Sequence, residues 1–291
     1  MKNVLIIGCG LLGSSLVRSI SKKKLAKQIF IYEKSSSNIS KIKNLRLPGK
    51  TVKSLKEGVV NSDLIIFCTP MSEYKKLILK INDSILPNTL ITDIGSSKIE
   101  SSKIINKFLR KDLHWIRSHP ITGSEVSGPE HGKENMFEDK WCVLIKDKKT
   151  NLRHLKFFNS FWKKVGSKTV IMNSKKHDKI FSITSHLPHL IAYNLVKSAQ
   201  DFEKILKFDL IKYSAGGLRD FSRIAASNEI MWRDIFFDNK INITKAINLF
   251  IKNLKSFKKD INKKNNKLIL KKLVQTKKVR TKIIKLKQDI N

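Results

Sequence analysis

Short apolar runs alternate with amphipathic stretches along the first part of the chain. Runs rich in β-branched residues predict strands at 3–7, 28–33, 63–69, 89–93, 114–118, 141–146 and 168–172. Between them, apolar positions recur at helical spacing at about 11–23, 71–81, 97–109 and 151–165. This alternation is typical of an α/β domain built on a parallel sheet, which we expect to span residues 1–172.

The strand pattern stops after Met172, and helical spacing takes over. One helical stretch covers 175–200, where Pro188 predicts a kink because its ring clashes with the preceding turn. Further helices are predicted at 201–213, 222–237 and 242–261. We therefore expect a second, all-helical domain over 173–291. Since such domains often pair with a copy of themselves, we expect a homodimer.

The net charge of +35 is the most unusual bulk property of the 291 residues. A basic surface can bind nucleic acid or anionic membranes, but lysine is scattered along the whole chain without a nucleic-acid-binding motif. We therefore expect no specific nucleic-acid partner. The segment 252–291 holds fifteen Lys and Arg against two Asp, and its scattered apolar residues favour packed helices over a polyanion-binding tail.

Cysteine spacing and hydropathy bear on the compartment. Cys9, Cys68 and Cys142 are far apart and fit neither a disulfide framework nor a metal-spacing pattern. The N-terminal apolar run is too short for a signal peptide, and no run reaches the ~20 residues of a membrane span. These features predict a cytoplasmic protein without a membrane partner.

A glycine-rich turn follows the first predicted strand and opens the first predicted helix, with the sequence Gly8-Cys9-Gly10-Leu11-Leu12-Gly13. In a dinucleotide site the first glycine permits the tight turn, the second admits the pyrophosphate and the third lets helix and strand pack closely. Glu33 lies twenty residues after Gly13, where a carboxylate can accept hydrogen bonds from ribose hydroxyls. The sequence thus predicts a Rossmann-type domain that binds NAD rather than NADP, although Lys34 and Ser35 weaken that preference. A glycine turn without ligand is the alternative.

Two further strand ends carry candidate chemistry. Thr69 and Pro70 end one strand and would border the cofactor. His119 ends another, and Pro120 biases it toward an extended backbone, so one imidazole lies where open α/β sheets place their chemistry. A histidine before proline is often only structural. Ser96, after the strand at 89–93, suits a catalytic role, a helix N-cap or both, and Ser97 also suits the N-cap.

Three segments resemble the prephenate/arogenate (cyclohexadienyl) dehydrogenases, in their monofunctional form. They read Ser118-His-Pro-Ile-Thr-Gly-Ser-Glu-Val-Ser-Gly128, Ser185-His-Leu-Pro-His-Leu-Ile-Ala192, and Ser214-Ala-Gly-Gly-Leu-Arg-Asp-Phe-Ser-Arg223 continuing to Met231-Trp-Arg-Asp234. With the glycine turn, the resemblance covers most of residues 1–237. The family reaction is an NAD-dependent oxidative decarboxylation in tyrosine biosynthesis: hydride leaves the cyclohexadienyl ring for the nicotinamide, the ring carboxylate leaves as CO2, and a phenol forms.

The resemblance implies a role for each matched residue. His119 is the expected acceptor of the 4-hydroxyl proton, and Ser96 is expected to orient that pair. Arg223 is expected to bind a substrate carboxylate, since its planar fork suits a bidentate pairing, and Asp220 is expected to orient Arg223 or to cap a helix. The remaining substrate-binding candidates are His189, His186, Trp232, Gly216, Ser124 and Glu125.

Several alternatives stay open at this point. His186 and His189 could share a helix face as metal ligands, but the sequence offers no convincing third ligand, so we expect no metal. Trp232 could be plain core and Arg223 a surface residue. A β-hydroxyacid type of two-domain dehydrogenase, and a basic polyanion-binding Rossmann protein, are the alternative functions.

Overall fold

The computed structural model describes residues 2–286, and it contains one eight-stranded sheet. The strands are β1 (Asn3–Ile7), β2 (Gln28–Tyr32), β3 (Lys50–Thr51), β4 (Leu64–Phe67), β5 (Leu90–Asp93), β6 (Trp115–Pro120), β7 (Trp141–Ile145) and β8 (Lys168–Met172). Their order across the sheet is β3-β2-β1-β4-β5-β6-β7-β8, and all neighbours are parallel except β6 and β7. The predicted α/β fold class is confirmed.

Six helices connect the strands, and six more follow the last strand. They are α1 (Leu11–Lys22), α2 (Ser36–Asn44), α3 (Leu55–Val60), α4 (Tyr74–Ile81), α5 (Ile99–Phe108), α6 (Leu152–Val165), α7 (Ser174–Phe181), α8 (Leu187–Leu206), α9 (Gly216–Ile224), α10 (Glu229–Asp238), α11 (Lys240–Asn262) and α12 (Asn266–Lys285). No helix in the part of the chain that the structure describes is long and apolar enough to cross a membrane.

The core lies on both faces of the sheet. Along β1, Val4 and Ile6 belong to one apolar cluster, which includes residues of α1 and α6, while Leu5 and Ile7 belong to the other. Such strands, buried on both faces, read as continuous apolar runs because helices cover both sides of a parallel sheet. For this reason the longer strands could be predicted from the sequence.

The chain divides into two compact units, Met1–Asn242 and Ile243–Asn291. Trp232 and Ile235 of α10 belong to the same apolar cluster as Leu5 of β1, so α10 is packed into the first unit together with the sheet. The expected border at residue 172 therefore marks a change from strands to helices inside this unit, and it stays a prediction as a domain boundary.

The structure corrects three details of the helical prediction. Residues 201–206 continue α8, and only a short 3-10 turn, Leu210–Tyr213, follows, so a separate helix over 201–213 was wrong. Helices α2 and α3 were missed because one is largely polar and the other is only six residues long. The irregularity expected at Pro188 is a π-helical segment, Ser182–His186, just before it. Pro188 lies two residues after this segment, at the start of α8, and has no N–H to donate to the preceding helical turn.

Candidate active site

The glycine turn lies at the carboxyl ends of β1 and β4, where the strand order reverses. Gly8 has φ +88°, and a Cβ there would lie 2.9 Å from Thr69 Cγ2. A Cβ on Gly13 would lie 2.1 Å from the Gly8 carbonyl oxygen, so only glycine lets α1 approach the turn this closely. The reversal point of an open α/β sheet is where nucleotides bind.

The start of α1 is open where a pyrophosphate would lie. A Cβ on Gly10, the N-cap, would meet nothing within 4 Å, and no side chain among residues 2–286 caps this helix. Its first N–H groups are therefore available to an anion. Thr69 Oγ1 is buried without a hydrogen bond to any described residue, beside the same turn. Leu11 and Leu12 are half-buried here. These residues fit a dinucleotide.

The Glu33 carboxylate joins the end of β2 to the glycine turn. One oxygen accepts a hydrogen bond from Cys9 N at 2.8 Å, and the other accepts from Lys34 N at 2.8 Å and Ser35 N at 2.9 Å. Because a carboxylate has about four lone-pair sites, three backbone bonds leave room for a ribose hydroxyl. Ser35 caps α2, since its hydroxyl accepts a hydrogen bond from Asn38 N. Pro70 follows β4 and is exposed at the same edge.

His119 is the first member of a chain of three hydrogen-bonded side chains. Its Nδ1 lies 2.8 Å from Nε2 of His177, and Nδ1 of His177 lies 2.7 Å from Oδ1 of Asp178. His119 is held in the sheet by the β6–β7 pairing, opposite Val143. Phe181 packs against both imidazoles, with ring centroids 4.9 Å and 4.5 Å away.

Asp178 also caps α5. Its Oδ1 accepts from Lys98 N and its Oδ2 from Ile99 N, both at 2.8 Å. The helix therefore begins at Ile99 with Lys98 as its N-cap, and the alternative in which Ser96 caps it was wrong. Ser97 is engaged elsewhere, with its hydroxyl 3.2 Å from Asp238 Oδ2. Ser96 is thus left in the loop before the helix, with its side chain free of a capping role.

Burial sets the protonation state of the histidines. It lowers the pKa of His119 well below 6.5, and the charges of His177, Lys98 and His186 lower it further. Burial likewise lowers the pKa of His177 well below 6.5 and that of His186 to about 4. His119 is therefore a neutral imidazole near pH 7, the form that can accept a proton.

A buried ion pair holds the loop that carries Ser96. Lys98 Nζ lies 2.6 Å from Asp93 Oδ2 and donates to the Ser118 carbonyl at 2.7 Å, and neither charged side chain is exposed. Asp93 also accepts from Tyr74 Oη and Trp115 Nε1, both at 3.1 Å. The loop after β5 is thereby fixed to the strand that ends at His119.

His186 and His189 both pack against the Trp232 indole. The His189 ring stacks on it with centroids 3.8 Å apart, and the His186 ring meets it edge-on at 6.1 Å. Asn239 Nδ2 lies 3.1 Å from His186 Nδ1 and donates to the Asp178 carbonyl at 2.8 Å. The hydrogen-bond network of His119 therefore continues to His186, and His189 adjoins it only through its contact with Trp232.

Arg223 faces the loop that follows His119. Its guanidinium lies 3.2 Å from Glu125 Oε2, and its charge lowers the pKa of His189, although burial of His189 contributes more. No hydrogen bond or ion pair within residues 2–286 joins Arg223 to Asp220, which lies in the middle of α9, so the expected orienting and capping roles of Asp220 were wrong. The pairing partner of Arg223 is Glu125.

Two predicted site residues lie apart from these contacts. Gly216 begins α9 and is exposed, with nothing within 4 Å of a Cβ built on it. Ser124 is exposed, and its hydroxyl accepts a hydrogen bond from Val126 N at 3.4 Å. Within residues 2–286, no three His, Cys, Asp or Glu side chains are grouped so that they could hold a metal ion.

Four buried residues of this network were missed from the sequence: His177, Asp178, Lys98 and Asn239. Only His177 and Asp178 had a recognisable signal, since an adjacent His and Asp near the start of a predicted helix place two titratable groups about two turns before the motif at 185–192. Lys98 and Asn239 contact residues that are distant in the sequence, so no local sequence pattern marks them.

Comparison with known proteins identifies the family. The model described as the nucleotide-binding domain of prephenate dehydrogenase matches residues 16–171, and the model of its dimerization domain matches 173–276. The chain belongs to the prephenate dehydrogenase family. Among characterised members, a cyclohexadienyl dehydrogenase of Zymomonas mobilis is 28% identical over 279 residues, which cover 96% of this chain and 95% of that protein. A prephenate dehydrogenase of Lactococcus lactis is 32% identical over 272 residues, 92% of this chain and 74% of that protein.

A solved member of the family has nearly the same fold. It is prephenate dehydrogenase from Aquifex aeolicus in complex with hydroxyphenyl propionate and NAD+, with a TM-score of 0.90 and 32% identity over 97% of this chain and 98% of that one. An arogenate dehydrogenase from Synechocystis shares the fold with a TM-score of 0.78 at 21% identity. The glycine turn at 8–13 lies before the first matched residue of the family model, so its assignment rests on the geometry above.

Proposed function

We propose that this chain is an NAD-dependent dehydrogenase that decarboxylates prephenate, arogenate or both, giving 4-hydroxyphenylpyruvate or tyrosine. The observation that carries the proposal is His119, a buried neutral imidazole at the same sheet edge as the glycine turn. Bound NAD supplies the hydride acceptor. The aromatic product makes loss of CO2 favourable once hydride has left the ring.

The residues around His119 suit the acidic, cyclic substrate. His119 accepts the proton of the 4-hydroxyl, and Ser96, whose hydroxyl is not used as a helix cap, orients that hydroxyl. His189, held by its stack on the buried Trp232, provides a flat surface against which a ring can pack. Arg223 binds a carboxylate when it exchanges Glu125 for substrate, and it is 57% exposed and therefore able to move. His186, Gly216 and Ser124 complete the proposed substrate contacts.

The cofactor preference is NAD over NADP. Glu33 is anchored by three backbone N–H groups, so its charge cannot turn away from the ribose position. A 2′-phosphate placed there would meet a fixed carboxylate, and like charges repel strongly in a partly buried site. This supports NAD, and a comparison of NAD with NADP as cosubstrate tests it.

We also propose a homodimer in the cytoplasm. The end of α8 and the turn after it carry exposed apolar side chains, namely Phe202, Ile205, Leu206, Phe208 and Tyr213. A patch of this kind on a soluble enzyme is typical of an interface, and the match to a dimerization domain supports a second copy as its partner. Light scattering should show a dimer that Phe202→Glu with Ile205→Glu weakens. We propose no specific nucleic-acid partner.

The deciding experiment is NADH formation by the purified protein, with prephenate and arogenate offered separately. We expect turnover with at least one substrate, and a loss of about 10²–10⁴-fold in kcat in His119→Asn, the usual contribution of a general base. Asparagine keeps a polar group of similar reach and removes the titrating nitrogen. No turnover with either substrate, using NAD or NADP, would contradict the proposal.

A further inference from the structure

Some buried polar groups near His119 have no role in the proposed reaction. His177 and Asp178 stand out because both side chains are fully buried and neither belongs to a predicted site. A buried imidazole and a buried carboxylate are costly to desolvate unless each is paired. The hydrogen-bond partners of these two side chains show which groups they position.

The direction of each hydrogen bond follows from Asp178. Both of its oxygens accept from backbone N–H groups, those of Lys98 and Ile99, at the N terminus of α5. That position favours the carboxylate anion, although burial raises the pKa of Asp178 above 3.8. A carboxylate only accepts, so Nδ1 of His177 carries the hydrogen in the 2.7 Å contact.

The tautomer of His177 then determines which ring nitrogen of His119 carries the hydrogen. A neutral imidazole with its hydrogen on Nδ1 has a bare Nε2, and that atom lies 2.8 Å from Nδ1 of His119. His119 must donate from Nδ1, which leaves its own Nε2 unprotonated. The groups facing His119 are His177 of α7, Lys98 of the loop before α5 and His186 of the π-helical segment, and none of these other contacts supplies a competing acceptor for Nδ1.

We propose that His177 and Asp178 are positioning residues that lock His119 in the tautomer with a bare Nε2, ready to accept the substrate proton. Asp178 also caps α5, so the same carboxylate determines the tautomer of His119 and the start of the helix that follows Ser96. The proposal rests on the proposed function only for the identity of the proton donor. The tautomer itself is a property of the protein without substrate.

Nitrogen-15 NMR of histidine-labelled protein tests the tautomer directly. We expect His119 Nε2 to show the shift of a bare ring nitrogen and Nδ1 that of a protonated one, with assignment by comparison with His119→Asn. In His177→Phe, which keeps a flat ring beside Phe181 and removes the acceptor, we expect a mixture of both tautomers. A bare Nδ1 on His119 in the wild-type protein would overturn the proposal without any variant.

Kinetics provide the second measurement. We expect kcat of His177→Phe to fall by about 100-fold with KM for NAD unchanged, and His177→Gln, whose amide oxygen can accept from His119, to recover part of it. Asp178→Asn should lower kcat less than His177→Phe, because its amide oxygen still caps α5. His154→Phe is the matched control, since this half-buried histidine of α6 contacts only His114 among the described rings.

The two hypotheses fail in different ways. If the wild-type protein turns over and His177→Phe keeps kcat within about threefold, as an ordinary surface substitution would, the positioning role is wrong and the proposed function stands. If the wild-type protein does not turn over, the proposed function fails, and the NMR spectrum of the wild-type protein still decides the tautomer.

Discussion

The imidazole of His189 lies flat on the indole of Trp232, with ring centroids 3.8 Å apart and planes 22° from parallel. Its Nδ1 lies 3.0 Å from the Ser185 carbonyl, one helical turn earlier, so Nδ1 donates and Nε2 is left as an acceptor. Stacking and the backbone bond together fix the orientation of this ring. The pair is therefore a rigid wall rather than two mobile side chains.

Substitution of Trp232 should show how much its packing contributes to the free energy of unfolding. Trp232 is 5% exposed, and its Nε1 makes no hydrogen bond to residues 2–286, so phenylalanine loses area but no bond. We expect Trp232→Ala to lower the free energy of unfolding by about 3–5 kcal/mol and Trp232→Phe by less than half of that. Urea denaturation measures both. Equal losses in the two variants would show that the stack with His189 contributes little.

Removal of the Glu33 carboxylate should weaken cofactor binding. In Glu33→Ala the Cys9 N–H loses its acceptor and the glycine turn loses its tie to β2. A hydrogen bond to a charged group contributes about 1.5–3 kcal/mol, so we expect KM for NAD to rise about 10-fold or more. Glu57→Ala is the control, because Glu57 is a half-buried glutamate, like Glu33, and accepts one backbone N–H, from Lys53. An unchanged KM for NAD in Glu33→Ala would contradict the ribose assignment.

Loss of Lys98 should destabilise the protein strongly. Lys98→Met leaves Asp93 buried without its cation, and breaking a buried pair in this way costs about 3–5 kcal/mol. Adding Asp93→Asn to the same chain should recover part of the loss, since the unpaired charge is removed. Lys197→Met in the exposed pair with Asp201 should cost at most ~0.5 kcal/mol. Chemical denaturation of all four proteins provides the comparison.

Acid should destabilise the folded state through His186. Its folded pKa of about 4 lies below the unfolded value of 6.5, so the unfolded chain binds the proton first and the free energy of unfolding falls as the pH drops from 6.5 to 4. A shift of this size corresponds to roughly 3 kcal/mol. Protonation would also set an N–H of His186 against the Asn239 amide.

The test is the unfolding free energy of wild-type protein and His186→Asn at pH 7.5 and pH 4.5. Asparagine offers Asn239 an acceptor at nearly the same place but does not titrate. We expect the variant to lose less stability on acidification than the wild-type protein. The same loss in both would assign the acid sensitivity to other groups, such as His119 and His177.

Local sequence patterns predicted the sheet well and the site only in part. Strands buried on both faces leave continuous apolar runs, and the glycine turn and His119 stand at the ends of such runs, where chemistry is expected. β3 was not predicted, because a strand of two residues is too short to show a hydropathy pattern. The roles of His177 and Asn239 could not be predicted, because they depend on contacts with residues 58 and 53 positions away, which no local window contains.

Asp178 lies 80 residues after Lys98, the N-cap of the helix that it caps, and this distance has a consequence for the order in which the protein forms during synthesis. When the last strand of the sheet leaves the ribosome, α5 still has an uncapped start and His119 has no partner for Nδ1. Both are completed in one step, when α7 docks. The sheet and its nucleotide turn can therefore form first, and under the positioning role proposed above His119 becomes a competent base only when α7 has docked.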